Sequence, residues 1–196
     1  MGQIVVSSLV SLDGYTEGPG GDVMVMPMDT AFGKQNAERM AAASSLPFGA
    51  TTFRGMVSFW PHQFHNPDAS GDDQFIAQRY AEGIPITVVS DTLTPEETEP
   101  YRDQTSIVPR SGLAQRVADL RQQEGEALVF GSRTLWTELM AQGLVDVLHL
   151  MVGPKIVAGD HRILEGVPET SAHLLDARRL PDSEIVLLTY EFGSRD

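Results

Sequence analysis

Short apolar runs rich in β-branched residues recur along this chain, each ending in glycine, serine or a turn, and most are followed by helical spacing. Ile4 to Val10, Leu46 to Gly49, Ile84 to Ser90 and Ala127 to Phe130 are the clearest runs. Runs of this length that stay apolar belong to strands covered on both faces. Between them, Phe32, Ala37, Met40 and Ala41 mark one face of a helix over Thr30 to Ala43. Thr51 or Thr52 can cap a helix running to Trp60, and a further helix spans Gln74 to Ala81, closed by Gly83. Leu113, Val117 and Leu120 share a helical face capped by Ser111, and Ser132 caps a helix through Met140 that stops at Gly143. Pro61 to Asp73 and Thr92 to Tyr101 are polar and rich in turn formers, and are expected to be loops.

Alternating strands and helices build a mostly parallel sheet with helices on both faces. Ser106 to Val108 and Val145 to Val152 add strands, and Pro181-Asp182 joins two apolar stretches as a C-terminal antiparallel hairpin. The expectation is a single α/β domain over residues 1–196, without internal repeat or dividing linker. Ligands of such sheets bind beyond the carboxyl ends of the strands, where Asp13, Gly49, Ser90 and Gly131 fall.

Charge narrows the partners. The 27 acidic and 14 basic residues leave a formal net charge of −13, which repels nucleic-acid backbones and anionic lipid. The apolar runs fall well short of the roughly 18 residues a membrane helix needs. Neither nucleic acid nor membrane is therefore an expected partner. With no cysteine, disulfides and thiolate chemistry are excluded. The N-terminus lacks the basic and apolar segments of a secretion signal, so a cytoplasmic location is expected.

Two strand-to-helix junctions could carry binding chemistry: Phe48-Gly49-Ala50-Thr51-Thr52 and Val129-Phe130-Gly131-Ser132-Arg133-Thr134. Glycine bares the backbone, and a helix start offers unpaired N–H groups at a positive dipole end, which suits a pyrophosphate. Ordinary capping uses the same residues. Gly18-Pro19-Gly20-Gly21-Asp22 lacks a following helix, so it reads as a mobile loop over the site or a plain surface turn. His62 and His65 lie near Asp68, Asp72 and Asp73 in a loop without rigid ligand spacing, so no metal is expected. His149, His161 and His173 are scattered and read as edge or surface residues. Met24, Met26 and Met28 suit core contact or a flexible ligand wall, and Phe59-Trp60-Pro61 core or a stacking face. A Gly-x-Ser-x-Gly nucleophile motif is absent.

In order and spacing, these segments resemble the RibD C-terminal, dihydrofolate-reductase-like family. Ser11-Leu12-Asp13-Gly14 resembles its opening motif, and Gly49-Ala50-Thr51-Thr52-Phe53 with Trp60-Pro61 resembles its Gly-Arg-x-Thr-Tyr…Trp-Pro segment. Val88 to Leu93, Val129 to Leu135, Gly143 to Asp146 and Gly153 to Gly159 match further segments, so the likeness spans nearly the whole chain.

The resemblance implies a three-layer fold of that type holding NADPH in extended form across the strand ends. Asp13 and Gly14 would border nicotinamide and substrate, with Asp13 the candidate for orienting a proton donor or a water. Gly49, Ala50, Thr51, Thr52 and Phe53 would face phosphates or ribose, and Ser90 and Asp91 the adenosine end. Gly131, Ser132, Arg133, Thr134 and Leu135 would face the pyrophosphate, and Phe32, Asn36 and Trp60 would wall the substrate. Family members commonly form homodimers, so a homodimer is expected. Hydride transfer to a C=N or C=O bond of a small heterocycle is the implied reaction. NADPH is the expected cofactor, but Ala50 stands where the family often has arginine and Asp91 where a basic residue is frequent, which leaves NADH as the alternative. The same departures admit a ligand-binding protein that has lost catalysis, and a flavin-dependent protein is a third reading.

Overall fold

The computed structural model describes residues 1–193. Six strands run parallel: β1 (Gln3–Val10), β2 (Ala43–Gly49), β3 (Ile86–Val89), β4 (Thr105–Val108), β5 (Glu126–Phe130) and β6 (Val147–Val152). β8 (Val186–Phe192) lies antiparallel between β6 and the edge strand β7 (Ala172–Arg179). The sheet order is β4-β3-β2-β5-β1-β6-β8-β7. The expected α/β fold, mostly parallel with a C-terminal antiparallel hairpin, is the one observed. None of the helices among the described residues is long and apolar enough to cross a membrane.

Period-two alternation divides the core into layers. Val5, Phe48, Val88 and Leu128 pack under α1 (Thr30–Ala42), α2 (Ala50–Phe64) and α3 (Gly71–Ala81), meeting Met40, Phe53 and Tyr80. Ile4, Val6, Val89 and Val129 point the other way, against Leu113 and Val117 of α4 (Leu113–Gln122) and Trp136 and Leu139 of α5 (Arg133–Ala141). Each fully buried side chain of this kind contributes about 1.5–3 kcal/mol relative to exposure. Because the six strands are parallel, Val10, Gly49, Val89, Val108, Phe130 and Val152 end at one rim. α2 leaves β2 toward one face while α5 leaves the adjacent β5 toward the other, which parts the backbone between them.

Two rim segments, 11–29 and 153–163, are laced together. Leu12 N donates to Lys155 O at 2.8 Å, Ile163 N to Gly14 O at 2.9 Å, and Gly20 N to Asp160 Oδ2 at 2.7 Å. Lys155 Nζ donates to Val25 O at 2.5 Å, and Arg162 Nε to the Tyr15 hydroxyl at 3.2 Å. Asp13 is the clamp at the centre: its carboxylate accepts from Val157 N at 3.2 Å and Ala158 N at 2.9 Å. The Ser11 hydroxyl, then the Ala158 and Val157 amides, hold the Asp13 carboxyl down to about 2.

Several local expectations are corrected. Residues 61–73 are not a continuous loop: α2 runs on to Phe64, and α3 begins at Gly71. Pro61 lies in the last turn of α2, where it forfeits one helix bond and the helix ends three residues later. Ser70 caps α3 by accepting from Asp73 N at 3.0 Å, and Asp72 and Asp73 favour the positive first turn. Neither Thr51 nor Thr52 caps α2; Gly49 takes the N-cap position. Ser111 does not cap α4, because a 3-10 turn over Arg110–Gly112 leads into it and Gly112 is the N-cap. Of the three methionines only Met26 is core, with Met24 and Met28 exposed.

His149 is on an interior strand and not at an edge: it is half-buried on β6, with Nδ1 3.1 Å from Thr189 Oγ1 and Nε2 3.3 Å from Arg39 Nη1. Arginine only donates, so Nε2 accepts and Nδ1 carries the hydrogen. Burial first, then the charges of Arg39 and Arg178, lower its pKa from 6.5 to about 4.

Two pH effects follow, with opposite causes. As pH falls from 6.5 toward about 4, the unfolded chain protonates His149 and the folded chain does not, so stability declines in that window. Urea unfolding across it should show His149→Gln with a flatter limb than the parent; identical slopes would contradict this. Asp13 has a depressed pKa, so its contribution is full above 3.8 and is lost as pH falls toward about 2. In Asp13→Ala, the Val157 and Ala158 amides should exchange hydrogen faster than in the parent at neutral pH; unchanged rates would remove the clamp.

Candidate functional site

The two glycine junctions meet at the rim. Gly49 has extended backbone (φ −82°) and donates its amide to Ser132 Oγ at 3.2 Å. Gly131 (φ +54°) and Ser132 (φ +48°, ψ +46°) are successive left-handed residues that swing the chain from β5 into α5. For a serine that conformation costs about 1–3 kcal/mol, and such strain collects at functional sites. A side chain added at Gly131 would reach within 3.5 Å of Thr52 Cγ2, so the start of α2 lies against the strained turn.

Neither α2 nor α5 has a side-chain cap. The amides of Ala50, Thr51 and Thr52, and those of Arg133, Thr134 and Leu135, sit in first turns, which have no intrahelical acceptor. Two positive dipole ends therefore converge across the parting of β2 and β5. Gly49 shows that the space is kept open. Its φ suits any residue, and an added Cβ would touch only Leu135 Cβ, at 4.0 Å. Folding does not demand a glycine there, whereas a ligand lying on the backbone does. These features fit a dinucleotide pyrophosphate.

The remaining candidates divide. Asp13 and Gly14 are at the same rim, Gly14 in a turn at φ +83° that requires glycine, and Asp13 engaged as the clamp. Ser90 is buried, and its hydroxyl closes its own turn by accepting from Thr92 N at 3.2 Å and Leu93 N at 3.0 Å. Asp91 is exposed, its Oδ1 accepting from Arg110 N at 3.0 Å. Phe53 is fully buried core. Phe32 packs beside Leu9 and Met26, and Asn36 is half-buried one turn further along α1. Trp60 lies ten residues beyond Ala50, about 15 Å along the helix from the rim. It stacks on Tyr80 at 5.9 Å, and its Nε1 meets Met56 Sδ at 3.1 Å, so the structure does not bring it to the rim.

Sequence reasoning missed Glu17, which faces Arg133 at 3.8 Å. It also missed Asp160, which holds Gly20. Through these contacts the Gly18–Asp22 segment, which includes a 3-10 turn over Pro19–Gly21, is fastened to its surroundings. Both are contacts between distant segments, and no local pattern signals them. The histidine and acidic residues of 62–73 are divided between two helices and a short turn, and no metal-holding group of three exists among the described residues.

Among solved structures, a putative riboflavin biosynthesis protein from Shewanella sp. PV-4 superposes with a TM-score of 0.71 at 20% identity, covering 98% of this chain and 99% of that one. A Thermotoga maritima diaminohydroxyphosphoribosylaminopyrimidine deaminase/5-amino-6-(5-phosphoribosylamino)uracil reductase gives a TM-score of 0.65 at 16% identity, covering 97% of this chain and 56% of that one. Dihydrofolate reductase from Enterococcus faecalis, complexed with NADP(H), gives 0.58 at 14% identity, covering 98% and 97%. At these identities the likeness shows the dihydrofolate-reductase-like fold alone. No curated protein sequence matches significantly. The family model for the RibD C-terminal domain matches residues 3–186, and the chain belongs to that family.

Proposed function

We propose that this chain is a reductase that binds a reduced nicotinamide dinucleotide along the rim and transfers hydride to a C=N or C=O bond of a small heterocycle. The observation that carries the reading is the pair of uncapped helix starts converging beside the bare Gly49 backbone. Family membership supports the same chemistry.

The bound dinucleotide would supply the hydride, so the chain's work is placement and exclusion of water. Amides of Ala50 to Thr52 and Arg133 to Leu135 would hold the pyrophosphate. Gly49 and Gly131 would let it lie on the backbone. Asp13 and Gly14 would border the nicotinamide, with Phe32 and Asn36 on the substrate side. Since its carboxyl is held down to about 2, Asp13 is an anion at neutral pH. It would orient a donor or hold the 153–163 segment in place, and water would deliver the proton. A homodimer is part of the proposal: β7 is an edge strand with seven of its eight residues exposed, including Leu174 and Leu175.

A second reading, binding without turnover, is favoured by one observation: both Asp13 oxygens already accept backbone amides. Nicotinamide fluorescence on titrating NADH or NADPH decides the first point. Saturable enhancement with at least one of them is expected, and no binding of either at about 1 mM would overturn the reductase reading. Binding without oxidation of the cofactor across a panel of imines, pterins and quinones would favour the second.

A further inference from the structure

Charge at the end of β3, where the proposed dinucleotide would place its adenosine, would separate two cofactors that differ by a single phosphate. β3 ends at Val89, paired in register with Gly49, so residues 90–92 lie beside the start of α2. The Ser90 hydroxyl folds that segment into a tight turn and leaves Asp91 exposed at its tip. Arg110 N fixes Oδ1 of Asp91 at 3.0 Å, while Oδ2 makes no hydrogen bond among the described residues. An acidic group at a strand end beside the nucleotide accepts from the ribose hydroxyls of NADH, whereas a 2′-phosphate needs arginine in its place.

Arg54, Arg110 and Arg133 are each held by an acid. Arg54, one turn into α2, donates Nε at 2.9 Å and Nη2 at 2.8 Å to Glu97 Oε1. Glu97 is itself anchored, its Oε2 accepting from Thr94 N at 2.9 Å. The Thr94 amide first, then Arg54, hold the Glu97 carboxyl below its ordinary range, so it stays ionised. Arg110 pairs with Glu138 at 2.8 Å, and Arg133 faces Glu17 at 3.8 Å. Arg116 makes no ion pair among the described residues, but its Nε and Nη2 both donate to Thr87 Oγ1. Thr87 lies inside β3, below the rim. A 2′-phosphate dianion would meet the Asp91 carboxylate without a free guanidinium to offset it.

We propose that Asp91, with Glu97 withholding Arg54, makes this chain select NADH over NADPH. The inference rests on the reductase reading and names the cofactor for that same site. Asp91 accepts from the adenosine ribose and repels the 2′-phosphate, and the Arg54–Glu97 pair closes the alternative.

Calorimetric titration of the full chain with NADH, NADPH, ADP-ribose and 2′-phospho-ADP-ribose tests this without a substrate. NADH and ADP-ribose should bind at least about tenfold more tightly than their phosphorylated counterparts. The gap should narrow as salt rises. Asp91→Arg should invert the preference, and Glu97→Gln should raise affinity for NADPH while leaving that for NADH within about twofold. NADPH binding as tightly as NADH to the unmodified chain would overturn the inference and leave the reductase reading intact. So would an unchanged ratio in an Asp91→Arg protein with the parent circular dichroism spectrum. No binding of any of the four would overturn the reductase reading itself.

Discussion

One hydrogen bond, from the Gly49 amide to the Ser132 hydroxyl at 3.2 Å, ties together the ends of two adjacent strands whose helices depart to opposite faces. Ser132 is left-handed where it makes this bond, and its hydroxyl faces Gly49 rather than capping its own helix. It follows that the strained backbone at Gly131–Ser132 and the extended backbone at Gly49 are one device. Together they hold two helix starts at a fixed separation with their amides facing outward. Underneath, β2 and β5 pair in parallel near their starts, Ala43 with Glu126 and Ser45 with Ala127, with a register irregularity between the two pairs, so the Gly49–Ser132 bond is what links the strands at the rim.

Around this device, side chains that look functional are engaged in holding the backbone. Ser90 closes a turn, Ser132 accepts the Gly49 amide, and Asp13 bridges two loops. What stays open to a ligand is main-chain amide and bare glycine. Such a site would bind an anion through geometry and dipoles, and side-chain charge, acidic at Asp91, would then discriminate between ligands.

The fold was legible because continuous apolar strands such as Ile4 to Val10 and Ala127 to Phe130 admit few environments. Both glycine junctions were legible for the same reason, since each ends such a run. Helix boundaries were less so. Pro61 reads as a stop, yet in a last turn its missing donor disturbs one bond, and the Ser70–Asp73 cap that opens α3 was present in the sequence but read as loop. Trp60 and His149 misled differently. Their neighbours, Tyr80 for one and Arg39 with Thr189 for the other, come from distant segments that only the folded chain assembles. The lacing of 11–29 to 153–163, including Asp13 on Val157 and Ala158, was hidden for that reason too.

Amide hydrogen exchange with and without a reduced dinucleotide examines the paired helix starts directly. Binding should slow exchange at Ala50 to Thr52 and at Arg133 to Leu135 together, while the exposed strand β7 is unaffected. Protection confined to one junction, or appearing elsewhere while both junctions exchange at their free rates, would contradict the account.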